Sequence, residues 1–139
     1  MDNCLFCKIA NGQIPSATVY EDETFRVILD MNQAIKGHML ILPKEHAANL
    51  YELPEETAGE AMRLAKKLAL SAKKTMDIDG LNLLQNNGEA AGQSVMHFHL
   101  HVLPRKAGDD DSFPVWKDAS VSSEEMAAIA KTIADGLDQ

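Results

Sequence analysis

The chain has 139 residues, of which 45% are hydrophobic and 24% are charged, and these values are typical of one globular domain with a sizeable core. The net charge of −8 argues against binding to extended nucleic acid, which requires clustered lysine and arginine. No apolar run is long enough to span a bilayer, and the first residues lack the order of a secretory signal. We therefore expect a cytoplasmic protein that forms a single domain over residues 1–139 and binds no membrane.

The predicted elements follow one another without repeats or linkers. Apolar and alternating runs predict strands at Thr18–Glu21, Phe25–Leu29, 38–42, 81–85 and 97–103. Helical spacing of apolar residues predicts one long helix over 55–76, and the capping pair Ser122 and Glu125 predicts a C-terminal helix that runs through residue 133. Strands adjacent in sequence, with helices between and after them, predict an α+β fold with an antiparallel sheet of about five strands.

The last predicted strand carries three of the five histidines of the chain. His97, His99 and His101 alternate with apolar residues, so a strand would place the three imidazoles on one face, ~7 Å apart. Each imidazole can donate, accept, bind a metal or attack an electrophile near neutral pH. Two functions stay open from this pattern alone: a metal centre, and covalent catalysis with one imidazole as the nucleophile.

The two cysteines of the chain, Cys4 and Cys7, form a Cys-x-x-Cys pair. Such a pair is usually a redox motif or half of a zinc site. The redox interpretation requires a strand before the first cysteine, and the sequence has none there. A zinc site requires two further ligands, and histidine is the obvious supplier.

A glycine-containing loop over residues 86–94 precedes the histidines. Gly88 and Gly92 permit backbone conformations that expose amide groups, and concavities of this kind bind anions. Ser94 adds a hydroxyl at the end of the loop. A plain turn is the alternative, since Asn-Gly is a common turn dipeptide, but the neighbouring histidines favour a phosphate-binding loop.

Several of these segments together resemble one protein family. The segment 97–103, with histidine alternating with apolar residues, resembles the signature of the histidine triad (HIT) family, and the segment 92–94 is similar to the residues before that signature in its nucleotide-binding, Hint-like branch. The segments 37–46 and 4–15 resemble an earlier strand and the amino-terminal end of bacterial members. The resemblance spans roughly residues 2–105 and implies the HIT fold.

The resemblance also implies a catalytic mechanism. His99 would attack the α-phosphorus of a nucleotide and form a nucleotidyl-histidine intermediate that water cleaves, while His101 would contact phosphate oxygens and assist the leaving group. The substrate would be a purine nucleotide or another nucleoside monophosphate derivative, such as a phosphoramidate, an ester or an anhydride. The other residues that the resemblance assigns to substrate binding are Asp30 for the ribose hydroxyls, His38 for the histidine network, and Asn86, Gly92, Gln93 and Ser94 for the phosphate and leaving group.

A structural zinc ion and a homodimer are the remaining implications of the resemblance. Cys4, Cys7, His46 and His97 would hold the zinc, although His97 could instead belong to the catalytic network. Two copies of the chain would join their sheets. The alternatives to a phosphoramidase are a dinucleoside polyphosphate hydrolase, a nucleotide-sensing protein with vestigial catalysis, and a zinc hydrolase that uses the three triad histidines as ligands.

Overall fold

The computed structural model of the chain describes residues 3–109 and 118–137. The sequence predicts a solvated acidic loop at 108–112 and a packing role for Trp116, but residues 110–112 and Trp116 lie outside the described ranges. The elements are, in chain order, α1 Leu5–Ala10, β1 Thr18–Glu21, β2 Phe25–Leu29, β3 Met39–Pro43, α2 Glu55–Thr75, β4 Gly80–Leu84, a 3₁₀ turn at Glu89–Ala91, β5 Leu100–Arg105 and α3 Ser123–Asp135.

The five strands form one sheet in the order β1-β2-β3-β5-β4, and all neighbouring strands are antiparallel. This arrangement confirms the α+β prediction, including the hairpin of β1 and β2 and the antiparallel pairing of β4 with β5. The predicted strands at 38–42 and 81–85 are each displaced by one residue in the structure. The capping prediction is also confirmed, because the Glu125 amide donates to Oγ of Ser122 over 3.1 Å at the start of α3.

The two faces of the sheet are covered by different helices, because side chains alternate along each strand. In β3, whose residues are all buried, Met39 and Ile41 face the core that includes α2, while Leu40 and Leu42 pack with Ile9 of α1. The buried stripe of α2 consists of Ala61, Leu64, Ala65, Leu68 and Ala72. Within the described ranges, no helix combines the length and the apolar character that crossing a bilayer requires.

The helix α1 was not predicted from the sequence. It has only six residues, too few for a helical period to be recognised. The side chain of Cys4 caps the helix, since the Cys7 amide donates to Sγ of Cys4 over 3.3 Å. Ile9 and Ala10 then pack against Ile28 and the apolar side chains of β3 on this face of the sheet.

The predicted strand over 97–103 is only partly correct, because β5 begins at Leu100. Residues 97–99 leave the strand pairing: the Phe98 amide donates to the carbonyl of Ala47 over 2.7 Å instead. Phe98 is nevertheless buried in the same core cluster as Leu100 and Val102. The alternation of the sequence therefore identified the buried face correctly but placed the strand two to three residues too early in the chain.

Candidate active site and metal centre

The predicted catalytic and ribose-binding side chains lie at the strand ends on the α1 side of the sheet. His101 in β5 pairs with Leu40 of β3, and Leu40 packs on the α1 side. His38 lies one residue before β3 and therefore shares the face of Leu40, while Asp30 follows β2 and shares the face of Ile28. Nδ1 of His101 lies 2.8 Å from Nε2 of His38, which in turn lies 3.6 Å from Oδ2 of Asp30.

The ring of His99 is buried and has a defined orientation. Its Nδ1 lies 2.7 Å from the backbone oxygen of His97. A carbonyl oxygen can only accept, so Nδ1 carries the ring hydrogen and Nε2 has a free lone pair. The centroid of the His101 ring lies 5.0 Å away, with the two planes at 68°. In its uncharged form, the ring can therefore act as a nucleophile through Nε2.

The hydrogen positions on His38 and His101 follow from one backbone amide. The Ala34 amide donates to Nδ1 of His38 over 3.2 Å, so the hydrogen of the His38 ring is on Nε2. That nitrogen donates to Nδ1 of His101, and the hydrogen of the His101 ring is therefore on Nε2. His101 thus presents an N–H group, whereas His99 presents a lone pair.

Burial keeps both members of this pair uncharged near neutral pH. It lowers the pKa of His101 to about 4, and the neighbouring His99 and His38 rings act in the same direction. Burial also lowers the pKa of His38, against the opposing charge of Asp30. His101 therefore presents an uncharged N–H group that can donate a hydrogen bond to a phosphate oxygen.

The loop before the histidines is held by bonds within itself. Gly88 and Gly92 have φ values of +90° and +91°, which only glycine adopts readily. The Gly88 amide donates to Oε1 of Gln93 over 2.8 Å, while the Gly92 and Gln93 amides donate to backbone oxygens at Glu89 and Gly88. These amides have partners in the loop, whereas the sequence predicts them to face a phosphate.

Gln93 braces this loop from inside. It is 3% exposed, and its Nε2 donates to the backbone oxygens of Ala48 and Val95 over 2.6 and 3.0 Å. Asn86 lies against the loop, because a Cβ placed on Gly92 would be 3.6 Å from Nδ2 of Asn86. Ser94 is exposed at the end of the loop. Contacts of Asn86, Gly92, Gln93 and Ser94 with a phosphate stay predictions.

The four predicted metal ligands meet in one cluster. Nδ1 of His97 lies 3.3 Å from Sγ of Cys4, 3.4 Å from Sγ of Cys7 and 3.3 Å from Nδ1 of His46, and the Cys7–His46 separation is 3.3 Å. A tetrahedral zinc with bonds of about 2.0–2.3 Å has ligand separations of about 3.3–3.8 Å. Two sulfur and two nitrogen donors at these separations fit a structural zinc ion.

The outer nitrogen of His97 supports this interpretation. Nε2 donates to the backbone oxygen of Pro43 over 2.9 Å, so the Nδ1 lone pair points at the thiols, as in most metal-ligating histidines. Burial lowers the pKa of this ring to about 4 and raises the pKa of the Cys7 thiol. His97 therefore belongs with the thiols, which contradicts the alternative of a zinc ion held by the three triad histidines.

A second group of possible metal donors is formed by Asp30, His38 and His101. Here the outer nitrogen of His38 accepts from the Ala34 amide, so a hydrogen occupies the Nε2 atom that would have to bind the metal. Metal-ligating histidines have the opposite arrangement, with a donated N–H on the outer side. This group is therefore arranged to carry a proton.

The sequence reasoning missed two residues of the site. One is Ala34, whose amide fixes the His38 ring and whose side chain carries no chemical signal. The other is Phe6, which lies between the two cysteines and whose ring centroid is 5.0 Å from that of His99. An aromatic residue inside the Cys-x-x-Cys pair was the available signal, but only the fold brings it to the histidines.

Comparison with known proteins agrees with this geometry. A family model described as HIT domain matches residues 11–108. Protein hit of Bacillus subtilis is 44% identical over 138 residues, which cover 98% of this chain and 95% of that protein. The adenosine 5'-monophosphoramidase of Schizosaccharomyces pombe is 36% identical over 135 residues, which cover 97% of this chain and 98% of that protein.

Solved structures show the same fold. The crystal structure of a HIT family protein from Bacillus anthracis superposes with a TM-score of 0.92 at 43% identity and covers 99% of both chains. A Zn-bound histidine triad family protein from Mycobacterium smegmatis has a TM-score of 0.77 at 38% identity, with 96% of this chain and 98% of that chain covered. These likenesses confirm the fold and the resemblance drawn from the histidine segment. The chain belongs to the HIT family.

Proposed function

We propose that the protein is a nucleotide hydrolase that cleaves nucleoside monophosphate derivatives, above all phosphoramidates, by covalent catalysis through His99. The observation that carries the proposal is the free lone pair on Nε2 of His99 next to the N–H group of His101. One relative, from Schizosaccharomyces pombe, is named an adenosine 5'-monophosphoramidase, and that name describes an enzyme acting on a substrate of this class. Its name also supports adenosine, a purine nucleoside, as the nucleoside of the substrate.

In the first step, Nε2 of His99 attacks the α-phosphorus and forms a P–N bond. The bond from phosphorus to the substrate nitrogen breaks, and that nitrogen, protonated from solvent before it departs, leaves as a neutral amine. The Nε2–H group of His101 donates a hydrogen bond to a phosphate oxygen during this step. The hydrogen on Nδ1 of His99 stays bonded to the His97 carbonyl, which stabilises the positive charge that develops on the ring. The result is a nucleotidyl-His99 intermediate and a free amine.

In the second step, water replaces His99 on phosphorus. The N–H group of His101 stays hydrogen-bonded to the phosphate, and the proton that the attacking water loses passes to solvent. The P–N bond to His99 breaks, and the neutral ring returns with its Nδ1 hydrogen in place. The products are the nucleoside monophosphate and the regenerated histidine pair, so protons and bonds balance over the cycle.

The remaining substrate-binding roles are part of the same proposal. Asp30 lies at the open end of the histidine chain, 3.6 Å from His38, and its carboxylate would accept hydrogen bonds from the ribose hydroxyls. Ser94 would donate its exposed hydroxyl to the phosphate or leaving group. Asn86, Gly92 and Gln93 would shape the loop on which Ser94 lies.

A zinc ion would have a structural role in this protein. Cys4 and Cys7 of α1 would bind it together with His46 and His97, and the ion would link the amino-terminal helix to the segment that carries His99. All four positions of a tetrahedron would then be filled by protein donors, which leaves none for a substrate. The Zn-bound relative from Mycobacterium smegmatis supports this role.

We also propose that two copies of the chain assemble through β4. This strand lies at the edge of the sheet, and an unpaired edge readily adds a strand of another chain. Its Leu83 and Leu84 are each 39% exposed. In α3 every residue is exposed, and Met126, Ile129 and Ile133 form an apolar stripe at helical spacing.

The test of the proposed function is hydrolysis of adenosine 5'-phosphoramidate by the purified protein. His99→Ala should abolish release of the nucleoside monophosphate while the fold persists, and Met96→Ala, an exposed neighbour in the same segment, should leave it unchanged. Full turnover by His99→Ala would overturn the nucleophile assignment. Tight nucleotide binding without turnover in the unsubstituted protein, with dinucleoside polyphosphates included in the panel, would favour a sensor.

A further inference from the structure

Phe6 contacts the proposed nucleophile from the turn of α1 that lies between the two thiols. The centroids of the Phe6 and His99 rings are 5.0 Å apart and their planes stand at 89°, while the His97 ring lies 6.2 Å from Phe6 at 78°. Such edge-to-face arrangements are favoured between aromatic rings. The reaction steps given above make no use of this residue.

The other restraint on His99 also begins at the metal cluster. The His97 carbonyl that holds Nδ1 of His99 belongs to a residue whose ring is fixed on both sides. Nδ1 of His97 faces the thiols, and Nε2 donates to the Pro43 oxygen. Two of the residues that contact the His99 ring or its nitrogen, Phe6 and His97, are therefore tied to the Cys4 and Cys7 thiols.

The helix α1 cannot hold Phe6 in place by its own stability. It has six residues, and isolated helices of this length do not persist in water. Ile9 and Ala10 anchor its end to the sheet, and Phe6 packs against the same apolar cluster from the first turn, next to the donors of the metal cluster. Those donors lie 3.3–3.4 Å apart across the cluster, where a bound metal would join the turn to His46 and His97.

We propose that Phe6 is a positioning residue for His99, and that metal binding by Cys4, Cys7, His46 and His97 fixes it against that ring. The presence of a metal ion in the cluster thereby controls the orientation of the His99 ring. The effect on reaction rate rests on the proposed function. The effect on the His99 ring does not, because it can be observed without substrate.

The rate test compares two substitutions of Phe6 in the zinc-loaded protein. Phe6→Leu keeps an apolar side chain but removes the ring contact, and kcat should fall about 3- to 10-fold with little change in KM. Phe6→Tyr keeps the ring and should retain most of the activity. The matched control is Leu5→Ala, an exposed residue of the same turn, which should have the kcat of the unsubstituted protein.

The structural test records the ¹⁵N shifts of the histidine rings by NMR. In the zinc-loaded protein, His99 should show one tautomer with its hydrogen on Nδ1. Removal of zinc with a chelator, or Phe6→Leu, should give a mixture of tautomers, and zinc should restore the single form in the unsubstituted protein. Identical His99 shifts with and without zinc, or an unchanged kcat in Phe6→Leu, would overturn the proposal. Absent turnover in every variant would count against the proposed function instead.

Discussion

Two histidine rings have defined hydrogen positions because each meets a backbone group that can only donate or only accept. The His97 oxygen places the hydrogen of His99 on Nδ1, and the Ala34 amide places the hydrogen of His38 on Nε2. The hydrogen bond from Nε2 of His38 to Nδ1 of His101 then places the hydrogen of His101 on Nε2. A lone pair and an N–H group thus stand side by side without any charged residue between them.

His101→Ala should slow the hydrolysis of a phosphoramidate by about 10²–10³-fold, because it removes the N–H group that donates to the phosphate as negative charge develops there. A nitrophenyl ester should lose a similar factor, since its reaction develops charge on the same phosphate oxygens. Steady-state kinetics with both substrates measures the two losses. Unchanged turnover with either substrate would show that His101 does not donate to the phosphate.

Protonation of His101 should also make stability depend on pH. Its pKa is lowered from 6.5 to about 4, so between these values the unfolded chain binds more protons than the folded one. The free energy of unfolding should therefore fall as the pH falls from 6.5 towards 4, and this group contributes no further loss below that. In urea denaturation, the free energy of unfolding of His101→Asn should fall less over this pH range than that of the unsubstituted protein. Equal falls in the two proteins would contradict this assignment.

Among the elements, periodic ones were predictable and those defined by single contacts were not. The five strands and α2 have clear apolar periods, so their existence followed from the sequence, with ends at most one residue off for α2 and the first four strands and two to three residues off for β5. The helix α1 depends on a thiol cap and on packing against β3, and neither is visible in a six-residue segment. Residues 97–99 alternate like a strand, but the Phe98 amide binds Ala47 instead of a neighbouring strand.

The candidate site shows the same division. The chemical types in the sequence were enough to pair Cys4 and Cys7 with histidines, and the structure brings these ligands together. The sequence could not show that Gln93 points into the loop, because an amide side chain suits a phosphate and a backbone carbonyl equally well. Such roles depend on the direction of a side chain, which spacing alone does not determine.

Two exposed glycines in different elements should respond in opposite ways to alanine. Gly92 has a φ of +91° at the end of the 3₁₀ turn, so Gly92→Ala should lower the free energy of unfolding by about 1–2 kcal/mol. Gly59 lies within α2 with open space around it, so Gly59→Ala should raise the free energy of unfolding by about 0.5–1 kcal/mol. Chemical denaturation measures both values, and a stabilising Gly92→Ala would contradict the conformation of the loop.

At the scale of the whole molecule, one face of the sheet carries the larger apolar core and the other carries the residues of the candidate site. The α2 side holds the larger apolar core, whereas the α1 side carries the histidines, Asp30 and the metal cluster. Both sides meet in β3, whose residues are buried throughout. The net charge of −8 adds no attraction for phosphate, so recognition of a nucleotide must depend on hydrogen bonds placed by these strands.

The proposed assembly of two copies predicts a dimer in solution, measurable by light scattering during size-exclusion chromatography. Leu83→Glu should shift the protein to the monomer, because it places a charge on the exposed edge strand β4. Leu70→Glu is the control, since Leu70 is an exposed leucine of α2 and not of the edge strand. A monomer in the unsubstituted protein at micromolar concentration would refute the assembly.

The most direct test of covalent catalysis is a rapid-quench experiment with adenosine 5'-phosphoramidate, followed by mass spectrometry of the digested protein. The account predicts a peptide that carries one nucleotidyl group on His99, which appears before the steady state and disappears as substrate is consumed. Its phosphorus–nitrogen bond should be labile in acid, so the quench is performed at alkaline pH. A nucleotidyl group on any other residue, or turnover without a covalent adduct at any time point, would contradict the account.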